Sequence, residues 1–193
     1  MESTLKNEKL FSRNFVLTTL STFAVFTSFY FLLVTLPIYI QELGGTESEI
    51  GLIIGVFTIS AVLLRPYLGR EVDRRGRKNI LAAGLLVFLF SMLLYNYTTS
   101  VVSLLMLRVL HGIGWGAATT AATTLIADIA PPRRRGEAMG TFTAAFDLGI
   151  GAGSIVLGMV LQFFGFKVMY LLGGLIVLAG AAWFIAVNDK KGI

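Results

Sequence analysis

The hydrophobic and polar positions of this chain alternate on a long scale. Six apolar stretches are separated by short polar connections. A helix needs about 20 residues to cross a hydrocarbon core of about 30 Å, and the six stretches are close to that length or longer. The pattern predicts six transmembrane helices over residues 14–40, 48–69, 79–96, 101–127, 137–163 and 168–187.

The composition supports a membrane protein. The chain has 193 residues, of which 55% are hydrophobic and 14% are charged, whereas soluble domains average about 45–50% and about 25%. Six helices use most of the length, so we expect a single all-α transmembrane domain over residues 1–193. The first apolar stretch is too long for a signal-peptide core, and we expect it to be retained. The chain contains no cysteine, which excludes disulfides, thiolate metal sites and cysteine nucleophiles.

The basic residues lie almost entirely on one side of the predicted helices. The formal net charge is +5, but its placement indicates membrane topology and contact with anionic lipid headgroups rather than nucleic-acid binding. The opposite side holds only Lys167. The positive-inside rule therefore predicts that both termini are cytoplasmic. The residues on the predicted cytoplasmic side are Lys6, Lys9, Arg13, Arg70, Arg74, Arg75, Arg77, Lys78, Arg133, Arg134, Arg135, Lys190 and Lys191.

Polarity and glycine spacing indicate an internal organisation. The first and fourth predicted helices carry the most polar residues, while the third and sixth are the most uniformly apolar. This favours two inverted three-helix repeats, an arrangement found in secondary transporters. Glycines four residues apart form a small-residue groove on one helix face, which suits either static packing or the sliding of helices. Such pairs are Gly51 and Gly55, Gly112 and Gly116, and Gly149 and Gly153.

The connection between the second and third predicted helices concentrates charge, with seven charged residues among the ten from Gly69 to Lys78. A topology signal explains its basic residues but not Asp73 or its glycines. The pattern G-x-x-x-D-R-x-G-R-K resembles the loop signature of the major facilitator superfamily, in the position where that family carries it. Further stretches are similar to motifs of that family: Leu36-Pro37 through Gly44 and Gly51, Arg65-Pro66, and Arg108 with Gly112 and Gly116.

The resemblance implies an efflux-type transporter with twelve helices, of which this chain supplies the first six. It also implies that the loop forms a cytoplasmic latch, in which Asp73 is held at a helix N-terminus of the other half. Arg74 and Arg77 would be the cationic partners of Asp73, and Gly69, Gly76 and Lys78 complete the pattern. Arg75 and Lys78 also fit simple contact with lipid headgroups. A carboxylate at a helix N-terminus gains about 0.3–1 kcal/mol, which can bias a conformational equilibrium.

The fifth predicted helix partly resembles the antiporter signature of the family. Gly140, Gly149 and Gly153 keep the expected spacing, but Ser154 stands where proline is expected. The expected proline kink is therefore absent. This partial match to the antiporter signature favours antiport only modestly over uptake by symport.

Three ionisable residues lie well inside predicted helices, whereas Arg65 is near enough to its helix end to reach the membrane interface and is expected to be structural. A charge near the bilayer centre costs about 2.5–3.5 kcal/mol on insertion scales, so such residues are candidates for function. Arg108 and His111 lie three residues apart on one helix face and should face the same cavity. The alternatives are a buried structural cation for Arg108 and a packing residue for His111. Asp147 could exchange protons if it lies opposite Arg108, or form an ion pair that only fixes packing. Tyr30 could line the same cavity.

The resemblance, together with these ionisable residues, implies a proton-coupled exporter of small organic solutes, expected in the plasma (inner) membrane. No metal-ligand cluster, nucleophile elbow or phosphate-binding loop pattern is present, which disfavours an enzyme, and no cofactor is expected beyond a proton gradient. The expected partners are the lipid bilayer, a small-molecule substrate and a second six-helix half, either a C-terminal half or a second copy. The chain could be a fragment, a half-transporter that dimerises or one part of a split pair. The alternative function is a non-transporting partner module.

Overall fold

The computed structural model describes residues 10–185, and these residues are helical with no strand among them. The expected all-α fold class is therefore found. The tail residues Lys6, Lys9, Lys190 and Lys191 and the predicted helix end at 186–187 lie outside the described residues. The six helical elements are α1 (Arg13–Glu42), α2 (Glu47–Leu63), α3 (Arg65–Arg75), α4 (Arg77–Leu94), α5 (Val101–Ile129) and α6 (Arg135–Ile185), with short 3-10 turns at Tyr95–Tyr97 and Pro132–Arg134.

Polar residues at the helix starts explain where the helices begin. Ser12 accepts a hydrogen bond from the backbone N–H of Phe15 at the start of α1. Thr46 and Glu49 form a capping box at the start of α2. Such caps satisfy N–H groups that have no partner within the helix. The boundaries of α1 and α2 therefore follow from local sequence.

The second predicted helix differs from the expectation because it is broken. A bend of 44° at Leu64 separates α2 from α3. Pro66 lies in the first turn of α3. Because proline has no backbone N–H, it cannot donate the hydrogen bond that would continue α2. By length and composition, four helices of the described chain could cross a membrane, and the bent pair of α2 and α3 would make a fifth crossing.

The last helical run, α6, contains a break at Gly165, whose φ of 75° and ψ of 178° are not helical. Gly149 packs against Thr27 of α1, and Gly180 packs against Ser21 and Ala24 of the same helix. A straight helix from 149 to 180 would be about 45 Å long, so both ends could not reach the same part of α1. The chain therefore reverses direction at Gly165, and residues 135–164 and 166–185 form two limbs.

Close helix contacts hold the bundle around α1 and α5. A Cβ at Gly84 of α4 would lie 2.5 Å from the backbone of Ala118 in α5. The hydroxyl of Ser28 in α1 donates a 2.9 Å hydrogen bond to the carbonyl of Gly173 in the second limb of α6. Small residues allow such approaches between helices in lipid. Both limbs of α6 thus pack on α1, and α4 packs on α5.

Candidate functional site

An open cavity of about 480 Å³ lies between α1, α3, α5 and the first limb of α6. Its volume is within the range of about 300–1,000 Å³ that is typical of ligand pockets. Tyr30 is one of its lining residues. The other lining residues are Phe26, Arg65, Trp115, Thr119, Thr120, Thr123 and Phe146.

The aromatic side chains of this cavity form a connected wall. The rings of Phe26 and Phe146 stack with centroids 3.9 Å apart and an interplanar angle of 8°. Phe26 also lies 4.5 Å from Trp115, and Tyr30 meets Trp115 edge-on at 6.5 Å. Stacked and edge-to-face rings of this kind add about 0.5–1.5 kcal/mol per pair beyond their burial. The wall brings together α1, α5 and α6 at one rigid surface.

Arg108 and His111 do not line this cavity. Both side chains are fully buried. Trp115 lines the cavity and stacks on Phe29 at 4.0 Å, and Phe29 in turn packs against the ring of His111 at 5.9 Å. Two aromatic rings therefore separate the cavity from the Arg108 and His111 pair in this conformation.

A hydroxyl group joins Arg108 to His111. The Nη1 atom of Arg108 donates to the Tyr95 hydroxyl at 3.5 Å, and this hydroxyl lies 3.0 Å from Nδ1 of His111. A guanidinium can only donate, so the Tyr95 oxygen accepts from Arg108. The imidazole tautomer sets the direction of the second bond: Nδ1 of His111 accepts from Tyr95 when the ring proton is on Nε2 and donates to it when the proton is on Nδ1. Sequence patterns gave no indication of Tyr95, which lies in a 3-10 turn outside α5.

The guanidinium of Arg108 lies in an aromatic environment. It lies 4.7 Å from the ring centroid of Phe57, a cation–π contact that partly compensates for burial of the charge. The Nε and Nη2 atoms of Arg108 and Nε2 of His111 have no hydrogen-bond partner within residues 10–185. Arg108 therefore keeps two unused donor atoms, and His111 one ring nitrogen without a partner, in the interior of the bundle.

Asp147 does not meet Arg108. It lies on an exposed face of the first limb of α6, and among the described residues it forms no ion pair. The partners of Arg108 are instead Tyr95 and Phe57. The proposed exchange of protons between Asp147 and Arg108 thus has no direct contact to support it in this conformation.

The ion pairs of the charged segment agree with the expectation for Arg77 but not for Arg74. Arg77 contacts Asp73 at 3.5 Å and Asp128 of α5 more closely, at 2.8 Å. Arg74 pairs with Glu71 at 3.2 Å rather than with Asp73, and Arg75 also pairs with Glu71. Glu71 is 5% exposed, and nothing in the sequence distinguishes it from the other charged residues of the segment. Asp73 remains largely exposed.

The remaining glycines of the loop pattern have different roles. Gly76 has a φ of 87° and separates α3 from α4, a conformation that residues with a Cβ rarely adopt. Gly69 is helical, and a Cβ added there would meet nothing within 4 Å. Lys78 lies in the first turn of α4. The sharp turn at Gly76 positions Arg77 to reach Asp128.

The predicted glycine grooves are used unequally. A Cβ at Gly112 or Gly116 would collide with the backbone of α2, and one at Gly153 with the backbone of α1. A Cβ at Gly149 would lie 3.1 Å from the backbone oxygen of Phe23 in α1, a tight contact. These glycines therefore permit the contacts of α5 with α2 and of α6 with α1. The pair Gly51 and Gly55 has nothing within 4 Å, so the packing expected there does not occur among the described residues. Its groove faces outward from α2.

Comparison with known proteins gives a consistent result. The family model described as Major Facilitator Superfamily matches residues 18–192. An uncharacterized MFS-type transporter of Methanocaldococcus jannaschii is 33% identical over 171 residues, and the quinolone resistance protein NorA of Staphylococcus aureus is 28% identical over 169 residues. Each comparison covers 88% of this chain and 44% of the relative. The chain thus spans about half the length of these relatives.

The fold is also similar to solved structures. The peptide transporter POT in complex with sulfate matches with a TM-score of 0.77 at 19% sequence identity. The match covers 92% of this chain and 38% of that protein. At this identity the likeness concerns the fold alone.

Proposed function

Since the chain belongs to the major facilitator superfamily, we propose that it forms one half of a secondary transporter that exports small organic solutes in exchange for protons by alternating access. The family accounts for transport across a membrane. The direction of transport, its coupling to protons and the class of substrate are our proposal. The quinolone resistance named for the staphylococcal relative supports export.

The observation that carries this proposal is the open cavity lined by Tyr30 and Trp115. It is large enough for a small organic molecule, and its wall combines stacked aromatic rings with threonine hydroxyls. Sites for organic ligands are mostly apolar, with a few polar groups that fix orientation. An amphipathic solute is the class that such a surface accommodates best.

The proposed domain is one bundle of six membrane-spanning segments, arranged as two inverted three-helix repeats. The bent pair of α2 and α3 provides one crossing, and the reversal at Gly165 allows the two limbs of α6 to provide two. With α1, α4 and α5 this makes six. The even number is consistent with both termini on one side.

The charged connections support a cytoplasmic position for that side. The 2.8 Å ion pair of Arg77 with Asp128 joins the junction of α3 and α4 to the end of α5, so the two strongly basic connections lie at one end of the bundle. At the other end, the Tyr39 hydroxyl donates to the carbonyl of Thr98. The positive-inside rule then assigns the basic end to the cytoplasm, and a plasma membrane location follows for a bacterial or archaeal exporter.

A second half is proposed because two faces of this chain are uncovered. Asp147 is exposed at mid-helix, and a charge facing lipid at this depth is costly. Along the same limb, Gly140, Gly151 and Gly158 have nothing within 4 Å of a Cβ position, as is true of Gly51 and Gly55 on α2. Small-residue faces let helices approach closely. We assign these faces to contact with a C-terminal half or a second copy.

The loop then acts as the conformational latch. The Asp73 side chain is 72% exposed, and its ion pair with Arg77 is long, at 3.5 Å. Its carboxylate is therefore accessible to a helix N-terminus of the second half. Arg77 holds the loop against α5 through Asp128. Arg74 orders α3 through Glu71. A rocking motion would make and break the contact of Asp73.

Proton coupling is assigned to three residues. Asp147 is the proposed proton carrier, since it is the carboxylate inside an apolar segment of α6. Arg108 and His111 are proposed to respond to substrate through Phe29 and Trp115, which connect their buried pocket to the cavity wall. Movement of these two rings would open a path between the cavity and the pair.

Reconstitution tests this function. The 193-residue chain is placed in liposomes that contain a pH-sensitive dye, and a quinolone is added to one side across a proton gradient. We expect solute-dependent proton movement that is lost in Asp147→Asn and retained in Glu42→Gln, a matched change at an exposed carboxylate of α1. Proton movement that persists in Asp147→Asn would remove this residue from the mechanism.

The same preparation addresses the alternative function. If no tested solute moves protons and the chain is monomeric by light scattering in detergent, the non-transporting module is the better description. If solute accumulates in the direction of the proton flow, uptake by symport replaces export. A dimer with exchange activity supports a second copy as the missing half.

A further inference from the structure

Arg65 is the one ionisable side chain, apart from the tyrosine hydroxyl of Tyr30, among the residues that line the cavity. No carboxylate of residues 10–185 is among the lining residues. Arg65 begins α3, immediately after the bend at Leu64. The sequence favoured a structural role for it at the membrane interface, whereas the structure brings it to the wall of the cavity.

The charge of Arg65 is not compensated by the described part of the chain. Within residues 10–185 it forms no ion pair and no hydrogen bond. Neighbouring arginines differ, since Arg74 and Arg75 pair with Glu71, and Arg77 pairs with Asp128. Arg65 is itself exposed, so its guanidinium lies at the open side of the cavity with donors available to an anion. The cavity therefore has a positive charge at its open side that no described carboxylate compensates.

The opposite wall offers flat apolar surface and further donors. Phe26, Trp115 and Phe146 contribute connected rings. The Tyr30 hydroxyl and the Trp115 indole N–H make no hydrogen bond within the described residues, so both can donate to a ligand. Thr119 and Thr123 donate to helix carbonyls at 2.8 Å, which leaves their oxygens as acceptors.

We propose that this cavity binds planar aromatic carboxylates, with the carboxylate on Arg65 and the ring against the Trp115 side of the wall. A guanidinium binds a carboxylate through two parallel hydrogen bonds, which fixes the orientation of the ligand. The proposal rests on the proposed function and names its substrate class. If the proposal is correct, the cavity binds an aromatic carboxylate more tightly than a cation of the same shape.

Fluorescence of Trp115 provides a direct binding measurement. The chain contains two tryptophans, and Trp183→Phe leaves Trp115 as the reporter. The probes are 4-nitrobenzoate, 4-nitrobenzyl alcohol and 4-nitrobenzylammonium, which share a quenching ring and differ in charge. We expect saturable quenching by 4-nitrobenzoate, with an affinity about tenfold or more above that of the alcohol, the gain expected for a charge-assisted contact. The ammonium probe should bind most weakly.

Variants then assign the selectivity to Arg65. In the Trp183→Phe background, Arg65→Gln should lower 4-nitrobenzoate affinity about tenfold and leave the alcohol unchanged. Arg65→Lys keeps the charge and should retain part of the preference. Arg70→Gln removes an exposed charge one turn further along α3 and should have no effect. In competition, benzoate should displace the probe better than cyclohexanecarboxylate, which lacks a planar ring.

Each outcome decides the proposal. Equal affinities for the acid and the alcohol in the unmodified chain, or a preference for the ammonium probe, would overturn it without any variant. A preference that survives Arg65→Gln would move the anion site elsewhere. If a second half neutralises Arg65 with its own carboxylate, the assembled transporter shows no anion preference, and the proposal fails. If the protein exchanges neutral or cationic solutes but does not bind 4-nitrobenzoate, the proposed substrate class is wrong and the proposed transport function stands. If it binds 4-nitrobenzoate but exchanges no solute, the substrate class stands and the proposed transport function is wrong.

Discussion

At the scale of single residues, the buried cluster of Arg108, Tyr95 and His111 shows how one hydroxyl can satisfy two groups. Tyr95 accepts from Arg108 and shares a 3.0 Å hydrogen bond with Nδ1 of His111. We expect Tyr95→Phe to destabilise the protein by about 1–3 kcal/mol, because it leaves two further buried polar atoms without partners. Tyr97→Phe, at a side chain that is 79% exposed, is the matched control. Thermal unfolding in one detergent compares them, and equal midpoints would contradict the network.

At the scale of elements, glycines of similar spacing have different structural roles. A Cβ at Gly153 would lie 3.0 Å from the carbonyl carbon of Thr27 and closer still to its oxygen, whereas one at Gly151 would meet nothing within 4 Å. We expect Gly153→Ala to cost about 1–3 kcal/mol by overpacking the contact of α6 with α1. Gly151→Ala should be neutral or slightly stabilising, as is usual for this change within a helix. The unfolding midpoints of the two variants measure the difference, and a stable Gly153→Ala protein would place α6 farther from α1.

The reversal within α6 makes a second prediction at this scale. The φ and ψ of Gly165 fall in a region that is essentially restricted to glycine. Space is not limiting, since nothing lies within 4 Å of its Cβ position, so Gly165→Ala should cost about 1–3 kcal/mol through backbone strain alone. Gly158→Ala, at a helical and equally open position, is the control. If both variants unfold at the same temperature, the two limbs are joined by a different backbone conformation.

At the scale of the whole molecule, the absence of cysteine from the sequence allows topology to be measured with single substitutions. Arg133→Cys lies at the basic end of the bundle, and Tyr97→Cys lies at the opposite end, both at exposed positions. A membrane-impermeant maleimide should label Tyr97→Cys in intact cells, and Arg133→Cys only after the membrane is opened. Labelling of Arg133→Cys in intact cells would invert the orientation and move the latch to the outer surface.

The sequence alone determined the features that depend on contiguous residues and their solvent. Apolar length predicted helices that cross a membrane, and charge placement predicted one basic end. The motif from Gly69 to Lys78 identified the family, which the match over residues 18–192 confirmed. The bend at Leu64 could be predicted only in part, because Pro66 indicates where a helix starts but not the angle between α2 and α3.

Only the tertiary structure decided which residues meet. It paired Arg77 with Asp128, 51 residues away, enclosed Arg108 behind aromatic rings and brought Arg65 to the cavity. The physical reason is that a helix in lipid is apolar on its outer face as well as its inner face. Its sequence therefore does not reveal its rotation about its own axis, and that rotation sets whether a side chain faces lipid, a neighbouring helix or the cavity.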